Sequence, residues 1–317
     1  MSLHQTTNQP AGIATLGPVT FHGDIQGAED ISAVDAVGDF LVLGSDESNF
    51  VQLLMREGDA YRVTGDPVVL NPAAEEIDIE GIAHDAEWVY VLGSHAWKRK
   101  KVDADKKYKK NREALETVSR EKDRERVCRF RLAPDGSASA VEETSLRAFL
   151  DSHPALEPLA KVPSKENGID LEGLAVHAGR LYAGFRSPVL RGGFVPVARF
   201  PFADPVAGAE LLYLSLDGRG VRDIARVGDG FLVLAGPSGE AAMSSRVYFW
   251  DGNDCLPGAD RPAPMGVLKL LGDLPADATG AAEALSVLGE GEGGYEVLVV
   301  FDGVANGNPT RYRVPRP

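Results

Sequence analysis

The sequence of 317 residues is poor in cysteine, in positive charge and in long apolar runs. Its two cysteines, Cys128 and Cys255, belong to no Cys-x-x-Cys pair, which excludes a disulfide framework and predicts two reduced, structural thiols. No apolar run approaches the roughly 18 residues of a membrane span. No lysine or arginine precedes Arg56, so the cationic start of a secretory signal is lacking. We therefore expect a soluble, cytoplasmic protein without a membrane partner.

Positive charge is scarce overall but concentrated in one segment. The chain has 33 Lys and Arg against 47 Asp and Glu, a net charge of -14, which opposes non-specific binding to nucleic acid. Residues 97–126 hold 13 of these basic residues against 7 acidic ones, while the remainder holds 20 against 40. Nucleic acid is therefore an unlikely partner except through residues 97–126.

Five similar stretches recur along the chain, each a short strand, a tight turn and a more apolar second strand. They are EDISAVDAVGDFLVLGSDE (29–47), IDIEGIAHDAEWVYVLGS (77–94), IDLEGLAVHAGRLYAGFRSP (169–188), GVRDIARVGDGFLVLAGPSG (220–239) and AAEALSVLGEGEGGYEVLVVFDG (281–303). Two further strand-like segments follow each pair. A unit of four strands, rich in glycine turns, is typical of a propeller blade.

The spacing of these stretches predicts an all-β, five-bladed β-propeller over residues 1–317 as one domain. The equivalent residues that anchor the alignment are Ser32, Glu80, Glu172, Arg222 and Glu283, which are 48, 92, 50 and 61 residues apart. The interval of 92 residues also leaves six blades open, but an insertion at about 96–126 in the second blade accounts for it. The segment PVTFHG (18–23) is expected to supply the missing fourth strand of the last blade and so close the ring.

The insertion differs in composition from the repeats. KKYKKNREALETVSREKDRER (106–126) lacks glycine and proline and carries charges at helical spacing, which predicts a basic helix. It is either a solvated protrusion or a lid or docking arm for an acidic protein partner. A second short helix is predicted at 145–157.

Carboxylates recur where the inner strands of the predicted blades begin. Residues 78–81 read DIEG, residues 170–173 read DLEG, and the last repeat places Glu283 at the equivalent position. Since inner strands line the channel, these carboxylates should meet at one mouth. Like charges held together require a cation, protons or an arginine. The pattern therefore predicts either a divalent metal, preferably Ca²⁺, or an internal ion pair with Arg222. The glycine after each Glu should allow close approach of a neighbouring backbone.

Loops on the same face add further candidate site residues, which are Asp46, Glu47, Ser94, His95, Arg186, Arg191, Ser238 and Asp302. Carboxylates that hold a metal, a histidine and arginines that grip an anion would suit hydrolysis of a phosphoester or lactone. The candidate catalytic residues are His95, Glu80 and Glu172. The candidate ligand-binding residues are Ser94, Arg186, Arg191 and Arg222. The candidate metal ligands are Glu80, Glu172, Glu283 and Asp302.

Several motifs resemble a known family. The EGIA and EGLA strand starts, GSHA (93–96) and above all RSPVLRGG (186–193) resemble the bacterial propellers grouped as domain of unknown function 3616. This resemblance implies a propeller and supplies no activity. More loosely, an EG at the start of a channel strand is similar to phytase-like, esterase-like and gluconolactonase-type propellers, which implies a divalent metal at Glu80 and Glu172.

Two functions of different classes follow. The first is an acidic site for a small ligand or divalent metal at the channel mouth, acting as a metal-dependent hydrolase of an anionic small molecule. The second is a non-catalytic interaction scaffold whose basic insertion docks an acidic partner, with the carboxylates and Arg222 forming a buried structural network.

Overall fold

Four-stranded antiparallel sheets recur five times along the chain and surround a central channel in the computed structural model, which describes residues 12–239, 241–275 and 280–317. The innermost strand of each sheet contacts the innermost strands of the two neighbouring sheets, which makes a ring. The predicted all-β propeller with five blades is confirmed, and the alternative with six blades is not what the structure shows.

The first two blades follow two short N-terminal strands. These strands are β1 (Ala14–Pro18) and β2 (Thr20–His22). Blade 1 consists of β3 (Ile31–Val37), β4 (Phe40–Ser45), β5 (Phe50–Glu57) and β6 (Ala60–Val69). Blade 2 and its insertion consist of β7 (Ile79–His84), β8 (Val89–Gly93), β9 (Trp97–Arg99), α1 (Tyr108–Glu116), β10 (Val118–Arg120), a 3-10 helix (Lys122–Arg124), β11 (Val127–Phe130) and β12 (Glu142–Thr144).

The remaining blades follow a short helical connection. This connection consists of α2 (Arg147–Ser152) and 3-10 helices at Glu157–Leu159 and Ser164–Glu166. Blade 3 consists of β13 (Asp170–His177), β14 (Arg180–Ser187), β15 (Phe194–Phe200) and β16 (Glu210–Ser215). Blade 4 consists of β17 (Gly220–Val227), β18 (Gly230–Gly236), β19 (Arg246–Trp250) and β20 (Leu268–Asp273). Blade 5 consists of β21 (Ala281–Gly291), β22 (Gly294–Asp302), a 3-10 helix (Ala305–Gly307) and β23 (Thr310–Val314).

The N-terminal strands join the first blade to the last. β1 pairs antiparallel with β23 and is the fourth strand of blade 5. β2 instead pairs in parallel with β6, at the outer edge of blade 1. The strand that completes blade 5 is therefore residues 14–18, several residues before the predicted segment 18–23. Both outer edges at this seam are covered by the same stretch of chain, which leaves fewer unpaired backbone groups.

Apolar side chains fill the spaces between neighbouring blades. The second strands that read as continuous apolar runs, such as FLVLGS in β4 and GFLVLAG in β18, are buried along their whole length, as expected for strands covered on both faces. Between blades 3 and 4, Tyr182, Phe231 and Trp250 pack with ring centroids 4.7 to 5.8 Å apart. Burial of these rings holds adjacent blades in a fixed relation.

The insertion is less helical than predicted. The α-helix covers Tyr108–Glu116, a single 3-10 turn follows at Lys122–Arg124, and between them Val118–Arg120 pairs with Trp97–Arg99 as a two-stranded ribbon. The helix ends at Thr117, whose hydroxyl donates to the carbonyl of Glu113 at 2.7 Å. The β-branched pair Thr117 and Val118 favours an extended backbone over a continued helix, although the charge spacing matched a helix.

The second predicted helix, at 145–157, is also shorter. α2 covers six residues, and Pro154 interrupts the helical pattern before the 3-10 turn at Glu157–Leu159. Within the described ranges, no helix has both the length and the apolar character needed to cross a membrane.

Candidate functional site at the channel mouth

A β-bulge displaces the same position in every inner strand. In each of the five inner hairpins the pairing register shifts at the anchor residue, which has no directly opposed partner on the second strand. The five residues are Ser32, Glu80, Glu172, Arg222 and Glu283. A bulge bends a strand and re-aims the extra side chain, so the repeat that defines the blades also builds the channel mouth.

The glycine after the bulged Glu meets the next blade, as predicted. A Cβ on Gly81 would lie 2.8 Å from the backbone nitrogen of Leu174 in blade 3. A Cβ on Gly173 would lie 2.5 Å from the Cα of Asp223 in blade 4, and Gly173 has a φ of +77°. Only glycine permits both this close approach and this backbone angle.

Arg222 joins two of the carboxylates. Its Nε lies 3.1 Å from Oε2 of Glu172, and its terminal nitrogen Nη2 forms an ion pair with Glu283. All three side chains are buried. Of the two alternatives that the sequence left open, the structure shows the ion pair with Arg222.

Arg186 supplies a second positive charge. Its Nη1 donates to Oε1 of Glu172 at 2.8 Å and lies 3.7 Å from Oδ2 of Asp170. Burial, together with the charge of Glu172, raises the pKa of Asp170 to about 8. Arg186 and Arg222 therefore hold Glu172 from two sides.

A third arginine comes from the insertion. Arg124 donates to the Asp78 carboxylate and forms an ion pair with Glu76. The hydroxyl of Ser94 also donates to Asp78, which has a φ of 59°. Sequence reasoning missed this role because Arg124 fell within a predicted helix, and no pattern in the charged segment distinguishes it from its neighbours.

Glu80 is the bulged carboxyl that no arginine holds. It is half-buried and forms no hydrogen bond or ion pair with any residue that the structure describes. Burial raises its pKa well above the ordinary value, and the charges of Glu172, Asp78, Asp170 and Asp46 raise it further.

Asp46 extends this acidic region. Its Oδ1 is buried and accepts no hydrogen bond from the described residues. Burial and the charges of Asp78 and Asp302 raise its pKa to about 7. The mouth therefore holds more carboxyl groups than its three arginines neutralise, and the raised pKa values of Asp46, Asp170 and Glu80 mean that bound protons balance part of this excess.

The predicted metal ligands do not form a cage. Arg222 occupies Glu172 and Glu283, and Asp302 is exposed at the end of β22. In the part of the chain that the structure describes, no three Asp, Glu, His or Cys side chains are grouped to hold a metal ion. The predicted set Glu80, Glu172, Glu283 and Asp302 thus does not fit a Ca²⁺ site, which needs six to eight oxygen ligands.

Three other predicted residues are either fully buried or exposed outside the carboxylate cluster. His95 is fully buried, with Nδ1 2.8 Å from the carbonyl oxygen of Gly93 and Nε2 3.2 Å from the backbone nitrogen of Leu146. Burial lowers the pKa of His95 to about 4, so the ring is neutral at neutral pH. Backbone groups of Gly93 and Leu146 occupy both of its nitrogens. Ser94 is also fully buried. Arg191 is exposed in the turn after β14.

The fold and this mouth define the chain as a five-bladed β-propeller with an arginine-braced acidic channel. A family model described as "Protein of unknown function (DUF3616)" matches residues 30–200 and 202–313. The chain belongs to this family, as the strand starts and RSPVLRGG predicted.

Solved structures of other proteins are similar in fold. Myxococcus xanthus glutaminyl cyclase is 11% identical, with a TM-score of 0.47 over 97% of this chain and 96% of that one. A PQQ-bound aldose sugar dehydrogenase from Streptomyces coelicolor is 12% identical, with a TM-score of 0.43 over 96% and 100%. A search of curated proteins finds no match.

Proposed function

We propose that the channel mouth binds a small organic cation, such as a protonated amine, and that the carboxylate of Glu80 is its counter-charge. The observation that carries this proposal is the contrast between Glu80 and the other bulged carboxyls. Arginines contact Glu172 and Glu283 directly, whereas the Glu80 side chain forms no hydrogen bond or ion pair with a described residue. The three arginines act on Glu80 only through their charge at longer range, and four neighbouring carboxyls repel it. A cation beside Glu80 relieves that repulsion.

An organic cation suits these residues better than a metal ion. A divalent metal would have to displace Arg222 to reach Glu172 or Glu283, which would leave a buried arginine unpaired. An ammonium group needs one carboxylate and a few neutral oxygen acceptors. If the protein is the hydrolase that the sequence suggested, Glu80 would be the group that transfers the proton. His95 could not do so, because both of its ring nitrogens contact backbone groups.

Proton linkage gives this proposal a distinctive pH dependence. Below its raised pKa, Glu80 is protonated and lacks the charge that attracts a cation. We expect propylammonium to bind more tightly at about pH 8.5 than at about pH 6, by up to about tenfold per pH unit below the Glu80 pKa. Isothermal titration calorimetry of the wild type at both pH values measures this.

Two variants and a metal control sharpen the test. Glu80→Gln should lose the binding and its pH dependence, while Glu47→Gln, an exposed carboxyl on the same face, should keep both. Equal binding by wild type and Glu80→Gln would contradict the proposal. Binding of Ca²⁺ without binding of propylammonium would contradict the choice of an organic cation and favour a metal.

A second candidate function is supported by the basic insertion. Lys100, Lys107 and Lys109 are exposed, and their side chains form no ion pair or hydrogen bond with any residue in the described ranges. Because the rest of the chain is acidic, this segment is the part of the surface that would attract an acidic protein partner.

Charge removal tests the scaffold function. Replacing these three lysines with glutamine should weaken binding of a polyglutamate peptide at least tenfold by fluorescence anisotropy, and the binding should weaken as salt is added. The matched control replaces Lys161, Lys165 and Lys269, which are exposed outside the insertion. Equal losses in both triple variants would show that the binding is not specific to the insertion.

A further inference from the structure

A cavity of about 240 Å³ lies at the seam between blades 1 and 5. It is lined by Arg56 of β5, Tyr61 of β6, Glu296 of β22 and Arg311 of β23. The hairpin turns at residues 38 and 58 also line it, and these turns follow the first and third strands of blade 1. Because the mouth loops precede β3 and β5, the cavity opens on the opposite face and is separate from the channel mouth.

Three side chains that line this cavity carry hydrogen-bond donors without partners. The Nε of Arg311 is buried and has no hydrogen-bond partner among the described residues. Arg56 donates through Nε to the carbonyl of Gly58 at 3.1 Å, and its two terminal nitrogens form no bond with the residues that the structure describes. The Tyr61 hydroxyl likewise forms no hydrogen bond within the described ranges.

The acidic groups of the cavity are already engaged. Nη1 of Arg311 lies 3.6 Å from Oδ1 of Asp59 and 3.5 Å from Oε1 of Glu296. Arg311 therefore forms ion pairs with two carboxylates, whereas Arg56 has no carboxylate within ion-pair distance in the described chain. Burial raises the pKa of Tyr61, both arginines oppose this rise and Glu296 adds to it, which places all three charges near the phenol. The terminal nitrogens of Arg56 and the hydroxyl of Tyr61 therefore remain available to donate hydrogen bonds to an anion.

The rest of the lining is apolar. Val19, Ala36 and Leu288 line the cavity, and Tyr61 packs edge-on against Phe21 with centroids 6.3 Å apart. A volume of this size corresponds to roughly eight water molecules at about 30 Å³ each, which admits a molecule of several heavy atoms. The lining thus combines two arginines, two carboxylates and a phenol with a group of apolar side chains.

We propose that this seam cavity binds a small organic carboxylate with an apolar end, its carboxylate contacting Arg56 and the Tyr61 hydroxyl and its apolar end packing on Leu288. The site is independent of the channel mouth. Arg311 lines the same cavity and adds a second positive charge beside the ligand. Because the lining comes from the first and last blades, an occupant also links the two ends of the chain across the seam.

Benzoate and its neutral analogue benzamide provide a matched pair of probes. Titration calorimetry of the full chain should show saturable binding of benzoate that is at least tenfold tighter than that of benzamide, because only the carboxylate pairs with the guanidinium. Arg56→Gln and Tyr61→Phe should each weaken benzoate binding at least threefold. Arg62→Gln should not, since Arg62 lies beside Tyr61 on β6 but pairs with Glu57 and is not among the residues that line the cavity.

The outcomes separate the alternatives. No saturable benzoate binding, equal binding of benzoate and benzamide, or unchanged affinity in Arg56→Gln would each overturn the proposal. Saturable binding of inorganic phosphate without binding of benzoate would overturn the apolar part of the assignment. Unfolding curves of each variant establish that a loss of affinity is not a loss of fold. Glu80→Gln should leave benzoate binding unchanged.

Discussion

Arg222→Met should destabilise the folded chain by about 3–5 kcal/mol, measured by urea unfolding. Arg222 is buried between Glu172 and Glu283, and its removal leaves both carboxylates buried without one of their counter-charges. Met roughly preserves the packing volume of the side chain, so the loss reports the uncompensated charge rather than a cavity.

Restoring neutrality should recover most of this loss. The double variant Arg222→Met with Glu283→Gln should be at least about 2 kcal/mol more stable than Arg222→Met alone, because Glu283 is then uncharged while Glu172 keeps its ion pair with Arg186. The control Arg112→Met removes an exposed ion pair with Glu116 and should cost less than about 1 kcal/mol. A double variant no more stable than the single one would show that charge is not the cause.

Gly173→Ala should destabilise the chain by about 3 kcal/mol or more, again by urea unfolding. Two costs add: a positive φ, at about 1–3 kcal/mol, and overpacking against a neighbouring backbone, at about 1–3 kcal/mol. The added Cβ would lie 2.5 Å from the Cα of Asp223, which is backbone and cannot rotate away.

Gly179→Ala is the matched control. Gly179 has a φ of +73° in the turn after the same strand, but a Cβ there would meet nothing within 4 Å. It should therefore lose only the backbone cost, about 1 kcal/mol. Equal destabilisation by the two substitutions would mean that contact between blades 3 and 4 does not require this glycine.

The fold was predictable because every blade repeats the same physical pattern. A strand of alternating residues, a tight turn and a continuous apolar strand recur with a spacing of about 50 residues, and only a closed ring of blades covers both faces of all the apolar strands. The Glu–Gly pairs marked the channel mouth for the same reason, since each occupies the bulge of an inner strand.

The failures have physical causes as well. Charge spacing in the insertion matched a helix, but Val118 left the helix for strand pairing with Arg99, a contact that lies 19 residues away in sequence. Arg124 contacts Asp78 because the insertion folds back over β8. No local sequence pattern predicts a contact between residues so far apart in the chain. For His95, a lone histidine beside carboxylates looked catalytic, and only the backbone of Leu146 shows its structural use.

The most direct measurement is the pKa of the Glu80 carboxyl, from the pH titration of side-chain carboxyl signals by ¹³C NMR with Glu80→Gln for assignment. We expect a pKa well above the ordinary glutamate value, because burial and four neighbouring carboxyls disfavour the charge of Glu80. Added propylammonium should lower it, since the cation stabilises the carboxylate. An ordinary pKa, unchanged by propylammonium, would contradict the claim that Glu80 is the unneutralised carboxyl of the channel mouth.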